Sequence, residues 1–308
     1  MTSTRKILVR FGPVVAVLLV GAAYAAWQLT GGAPESQDSK AYYLASLDEP
    51  YARSLVGGDY AYLYSPAFAQ VLAPLRLLPM GWFVAVWTLI LVGALAWTAR
   101  RLALPLLLFQ PVIASIALGN VEILIAAAIV AGFRWPAAWA FVLLSKVTPG
   151  IGLVWFAVRR EWRSLAIALG ATAGIAAVSF VIAPRLWFDW AEVLSKNGGT
   201  TVSLPTLPGP LWLRVLAGGV IVAWGARTSR RWTVSVGSAI AVPVGWFTFT
   251  AIIAVAIAGL LVRTPGWSVR GMVMAIAHPD IRAWRRPAAP AATDPRAATD
   301  PRAVRADR

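Results

Sequence analysis

Residues 80–99 read MGWFVAVWTLILVGALAWTA, and Arg100-Arg101 follows directly. A charge-free run of this length matches the roughly 20 apolar residues that a helix needs to cross the hydrocarbon core of a bilayer. Comparable runs lie on either side. Ile7–Trp27 follows Arg5-Lys6 and holds one further charge, Arg10, and Leu165–Ala183 and Leu211–Ala226 are the next long ones. Over its 308 residues the chain is 59% hydrophobic and 13% charged, where a soluble domain is about 25% charged. Mean hydropathy is +0.68. A soluble fold this apolar lacks the polar residues to cover its own surface. The fold expected is therefore all-α, a polytopic integral membrane protein of about ten membrane helices.

Several apolar runs are short. Leu102–Leu118, Val121–Phe133, Trp135–Ser145 and Pro149–Val158 are separated by Gly119-Asn120, Arg134 and Lys146. Short pieces with polar residues between them suggest helices that stop midway around a cavity, because irregular backbone at membrane depth needs protein or water beside it. Tilted helices in a thinned bilayer are the plain alternative. A last pair, Trp232–Val242 and Trp246–Val262, turns at Pro243.

The charges set an orientation. Arginines cluster at 100 and 101, at 159, 160 and 163, and at 227, 230 and 231. The polar segment Gln28–Pro66 instead holds Glu35, Asp38, Asp48, Glu49 and Asp59. By the positive-inside rule the arginine clusters are cytoplasmic, as are both termini, and segments 28–66 and 184–209 are external loops. Ala23-Tyr24-Ala25 resembles a signal-peptide cleavage site. Cleaved or retained, the following segment is outside. The expected organisation is a transmembrane domain over 1–262 and a cytoplasmic basic tail over 263–308, in the cell membrane. In the tail, Ala292-Thr293-Asp294-Pro295-Arg296-Ala297 recurs as Ala298-Thr299-Asp300-Pro301-Arg302-Ala303, a low-complexity pattern that suits disorder.

The net charge of +15 suggests a nucleic-acid partner at first sight. The basic residues lie between apolar runs and in the tail, which suits anionic membrane lipids instead. There is no cysteine, and His278 is the single histidine. No acid cluster has metal-ligand spacing, so neither a metal nor another cofactor is expected.

Chemistry-bearing candidates are few. Asp38 lies in the first external loop, closest of its aspartates to the first membrane helix, with Tyr42 and Tyr43 after it. Asp48, beside Glu49-Pro50, and Asp59, after Gly57-Gly58, read as turn residues. Lys146 interrupts apolar sequence in Leu144-Ser145-Lys146-Val147-Thr148-Pro149. A lysine there costs roughly 2.5–3.5 kcal/mol on insertion scales, which makes it a functional candidate unless it snorkels to an interface. Arg214 sits near the outer end of its run, where arginine is uncommon. Asn120 and Glu122 follow Gly119 at a helix break, where they either orient a substrate or cap a helix.

In order, these residues resemble glycosyltransferase family 87, GT-C membrane proteins that include polyprenyl-phosphate-mannose-dependent mannosyltransferases of phosphatidylinositol mannoside synthesis. The family's acid with a nearby tyrosine resembles Asp38 with Tyr42. Its aromatic Tyr-Pro-Pro segment is similar to Tyr62-Leu63-Tyr64-Ser65-Pro66, its Gly-Gln-x-Asn element to Gly119-Asn120-Val121-Glu122, and its Lys-x-x-Pro element to Lys146-Val147-Thr148-Pro149. Ser65 replaces a proline, Asn120 replaces the glutamine, and the chain is shorter than usual at its C-terminal end. The resemblance implies a GT-C-like fold and transfer of a sugar, mannose first, from a polyprenyl-phosphate donor to a lipid or glycan acceptor on the external face. It implies Asp38 as catalytic base, Lys146 and Arg214 on the donor phosphate, and Tyr42, Tyr64, Asn120 and Glu122 on the substrates. A transporter or flippase for an amphiphile, or a membrane scaffold without chemistry, are the competing classes.

Overall fold

A computed structural model describes residues 3–33, 35–197, 207, 209–244 and 246–264, with side chains from residue 11 onward. The expected tail lies outside the described residues from 265 on, as does most of 198–208 in the second external segment. The described residues are helical and contain no strand. In chain order the helices are α1 (Ser3–Leu29), α2 (Gln37–Leu44), α3 (Pro66–Leu72), α4 (Met80–Ala99), α5 (Ala103–Leu106), α6 (Gln110–Leu118) and α7 (Glu122–Gly132). There follow α8 (Trp139–Ser145), α9 (Val154–Val158), α10 (Trp162–Ile182), α11 (Pro184–Asn197), α12 (Leu211–Arg227), α13 (Trp232–Ile240) and α14 (Thr250–Leu261).

Three stretches among the described residues, Phe11–Leu29, Met80–Leu106 and Trp162–Ile182, are long and apolar enough to cross a membrane. The pair α6 and α7 makes a fourth if counted as one span, bent by 110° at its break. The remaining apolar helices are shorter, several extended by 3-10 turns at Pro136–Ala138, Thr148–Leu153 and Phe247–Phe249. The short runs are therefore half-length helices, as their interruptions predict. α10 turns most of its surface outward, with Val178 63% and Val181 79% exposed. Such a surface is stable only against lipid.

Lipid is as apolar as leucine, so helices in a bilayer associate through close packing rather than through escape from water. The contact between α12 and α13 shows the consequence. A Cβ added at Gly218 would come within 2.5 Å of the Gly237 carbonyl oxygen, and one at Gly225 within 1.7 Å of Thr233 Oγ1. The two backbones touch because nothing stands between them.

The helices sort their charges to two ends. At one end Arg159 donates to Ala226 O and Ser229 Oγ, both at 3.2 Å, Arg231 lies 5.2 Å over the Phe133 ring, and Arg263 lies 4.7 Å over Trp97. The ends of α4, α7, α9, α12 and α14 thus form one arginine-bearing face. The opposite end carries the acids of residues 35–59 and those of α11. The segment 184–209, expected to be a loop, begins with a regular helix, and this differs from expectation. α11 turns Leu186 and Val193 inward and leaves Phe188 and Leu194 exposed. Trp190 Nε1 donates to Leu63 O at 3.1 Å, and Asn197 bridges Val56 N and Ser54 O at 3.1 and 2.8 Å. These bonds tie α11 across the first polar segment.

Candidate active site

The site forms where α6 stops. Gly119 ends that helix with φ +79°, a left-handed conformation that glycine adopts without penalty. The break also receives α2. A Cβ at position 119 would lie 1.8 Å from Ser39 Oγ, so the position excludes side chains on steric as well as conformational grounds. Ser36 and Ser39, both buried, share a hydrogen bond of 2.8 Å, and Trp87 of α4 donates from Nε1 to Gly119 O at 2.7 Å. α2, α4 and the break are thereby locked together, which carries Asp38 to Asn120.

The Asn120 amide donates to the Asp38 carboxylate, while its Oδ1 is buried without a partner. Glu122 opens α7 and is 1% exposed. Its Oε2 accepts from Ser115 Oγ at 3.0 Å, and its Oε1 lies 3.8 Å from Lys146 Nζ. Lys146 ends α8 in extended conformation (φ −134°, ψ 106°), which turns it into the break between α6 and α7. Asp38 keeps part of its surface open, but its carboxyl is hemmed in by protein. That desolvation pushes its pKa up to about 6. Glu122 adds to the rise, whereas Lys146 and the Asn120 hydrogen bond oppose it.

Tyr42 and Tyr64 stand behind the carboxylate. Their hydroxyls are 3.1 Å apart, their rings meet edge to face, and Phe68 and Trp87 complete the wall. An apolar groove of about 920 Å³ runs along this wall, lined among others by Phe68, Val71, Trp87, Phe141, Leu144 and Ser145. Val71 is 72% exposed, so the groove opens where lipid would lie. Its Leu144-Ser145 edge leads directly to Lys146. Ser65, the residue in place of the expected proline, donates from its hydroxyl to Leu144 O. It fastens the polar segment to that edge.

The structure thus brings Asp38, Asn120, Glu122 and Lys146 together, with Tyr42 and Tyr64 adjoining. Arg214 is placed differently. It is 9% exposed, and its guanidinium donates to the carbonyls of Ile240 (3.3 Å), Val242 (2.7 Å) and Pro243 (2.9 Å), closing the open end of α13. Thr148, two residues after Lys146, donates to Ala241 O in the same turn. Arg214 therefore braces the turn on which the lysine loop rests. Sequence reading missed Ser39, Ser115 and Trp87. A serine or an indole carries no chemical signature, and only the glycine between α6 and α7 hinted that something packs there. Among the described residues no three histidines, cysteines or acids converge as a metal site.

A carboxylate and an ammonium meet at a helix break, close to an apolar groove in an all-helical membrane protein. The sequence model of glycosyltransferase family 87 matches residues 62–279, more than half of the chain. The chain belongs to glycosyltransferase family 87 and is a membrane glycosyltransferase. Comparison with curated proteins and with solved structures gave no match. The matched region holds Tyr64, Asn120, Glu122, Lys146 and Arg214 and begins after Asp38.

Proposed function

We propose that the protein transfers a sugar, mannose in the first instance, from a polyprenyl-phosphate donor to a lipid or glycan acceptor at its acidic end, and that this end is external. The observation that carries the reading is the position of Asp38, between Asn120 and Lys146 and against the Tyr42 wall, of which Phe68 and Trp87 line a groove fit for a polyprenyl chain. Asp38 accepts the proton of the acceptor hydroxyl. The oxygen attacks the anomeric carbon, the bond from that carbon to the phosphate oxygen breaks, and the phosphate departs with the electron pair. A single displacement inverts the anomeric centre. Lys146 faces the developing phosphate charge, the place where cationic stabilisation contributes most. Asn120 orients the base, and the proton leaves Asp38 to solvent at its open side. Tyr42 and Tyr64 back the sugar position. Arg214 serves the phosphate site by holding the turn that Thr148 anchors.

The test is direct. Purified protein in nanodiscs is given labelled polyprenyl-phosphate mannose with a membrane lipid extract, and products are read by mass spectrometry. A mannosylated lipid that disappears with Asp38→Asn supports the reading. Transfer from polyprenyl-phosphate glucose but not mannose corrects the sugar, and no transfer from any lipid-phosphate sugar overturns the donor class.

A further inference from the structure

A phosphodiester requires more positive charge than Lys146 supplies alone. Asp38 and Glu122 both act on Lys146, so two carboxylates already share one ammonium. Arg214 has its Nη1 and Nη2 on backbone carbonyls, and its Nε, also buried without a partner, belongs to the guanidinium that those carbonyls hold in place. At the acidic end Lys40, Arg185 and Lys196 are each paired with a carboxylate, and Arg53 is exposed. Arg76 stands apart from these. It lies on the short turn Leu75–Leu77, flanked by the groove-lining residues Leu75 and Leu78. It is half-buried, and its Nη1 is shut off from solvent with no hydrogen-bond partner. A buried donor without an acceptor is costly and calls for an explanation. The guanidinium is within electrostatic reach of the Tyr62 phenol. Tyr62 Oη donates to Ser65 O at 3.2 Å, and the Ser65 hydroxyl donates to Leu144 O, two residues from Lys146.

We propose that Arg76 is the second cation of the donor site and binds the phosphodiester of the polyprenyl-phosphate sugar at the lip of the apolar groove. The inference rests on the lipid-phosphate reading above. A guanidinium presents paired N–H donors that match phosphate oxygens, and a turn of the half-buried side chain toward the lip would give Nη1 the acceptor that it lacks. The phosphate carries negative charge before and after transfer. Arg76 therefore acts on donor and product binding together, which changes KM more than kcat.

The test combines donor kinetics with binding of decaprenyl monophosphate, both on full-length protein in nanodiscs with and without phosphatidylglycerol. Arg76→Gln is expected to raise donor KM and the decaprenyl monophosphate Kd about tenfold, with kcat within about threefold, independently of phosphatidylglycerol. Arg76→Lys keeps the charge without the fork and should fall between. Unchanged KM and Kd in a folded Arg76→Gln protein overturn the assignment. So does a defect that tracks phosphatidylglycerol content while the monophosphate Kd stays put, because Arg76 then contacts bulk anionic lipid. If Arg76→Gln does not fold, Arg76→Lys decides on the same two parameters. Should the wild type bind decaprenyl monophosphate no more tightly than decaprenol, the lipid-phosphate reading falls and takes Arg76 with it.

Discussion

Asp38 titrates where its two roles pull in opposite directions. As the proposed base it must be ionised, so kcat/KM should fall as pH drops through about 6. Its folded pKa lies above the unfolded value, so its contribution to stability is fully present below the ordinary carboxylate range and is lost as pH rises through about 6. The unfolding temperature of the wild type relative to Asp38→Asn should therefore decline across that window while activity climbs. Asp38→Asn itself should lose roughly a hundredfold to ten-thousandfold in kcat, and Asp48→Asn and Asp59→Asn should stay within a few-fold; a pH–rate profile and single-turnover assays check both. Glu122, 1% exposed, is too buried to touch a sugar, and in the proposed mechanism its effect reaches the reaction through Lys146 and Asp38. Glu122→Gln removes a negative charge near Asp38, so the acid limb of the profile should move to lower pH. A limb that remains at about 6 would show that the two carboxylates are not coupled.

At the scale of elements, the break between α6 and α7 makes the site possible. α2 is only eight residues long, too short to hold as an isolated helix. Its place is set by Ser36 and Ser39 against Gly119. Gly119→Ala meets two obstacles, a left-handed backbone that costs roughly 1–2 kcal/mol for other residues and the Ser39 hydroxyl at 1.8 Å. The expected result is an unfolding temperature lower by several degrees and near-complete loss of transfer. Adding Ser39→Gly should restore part of both, because it removes the clash but leaves the backbone cost. Equal damage in the single and double variants, measured by thermal unfolding and product formation, would mean that α2 does not depend on this contact.

For the whole molecule the decisive property is its two-ended charge. Arginines hold the ends of α4, α7, α9, α12 and α14, and acids mark the opposite end. The proposed orientation puts the acidic end outside. Because the chain has no cysteine, single substitutions report cleanly. Ser46→Cys should react with a membrane-impermeant thiol reagent in intact cells, and Arg160→Cys only after permeabilisation. The reverse pattern would place the proposed site in the cytoplasm and remove the argument for a lipid-linked donor, since nucleotide sugars are at hand there.

Three of the four long runs, the arginine clusters and the interrupted short helices could be read from the sequence, because apolar length and charge placement are set residue by residue by the bilayer. Leu211–Ala226 instead falls in the 17-residue α12, outside the three or four candidate spans of the described residues, where about ten were expected. α4 spans the residues its composition marks, and Gly119 and Lys146 interrupt helices as their chemistry dictates. The nearness of Asp38, Asn120, Glu122 and Lys146 was suggested only by resemblance, and no local pattern contains it. It depends on a serine pair meeting a glycine and on Ser65 reaching Leu144, contacts between segments about 80 residues apart. Arg214 shows the same divide. Composition marked an out-of-place arginine, but only the packed helices reveal that three carbonyls at the end of α13 already accept from its Nη1 and Nη2. Which partner satisfies a buried polar group is decided by what folding brings beside it, and in a membrane no water is present to take that partner's place.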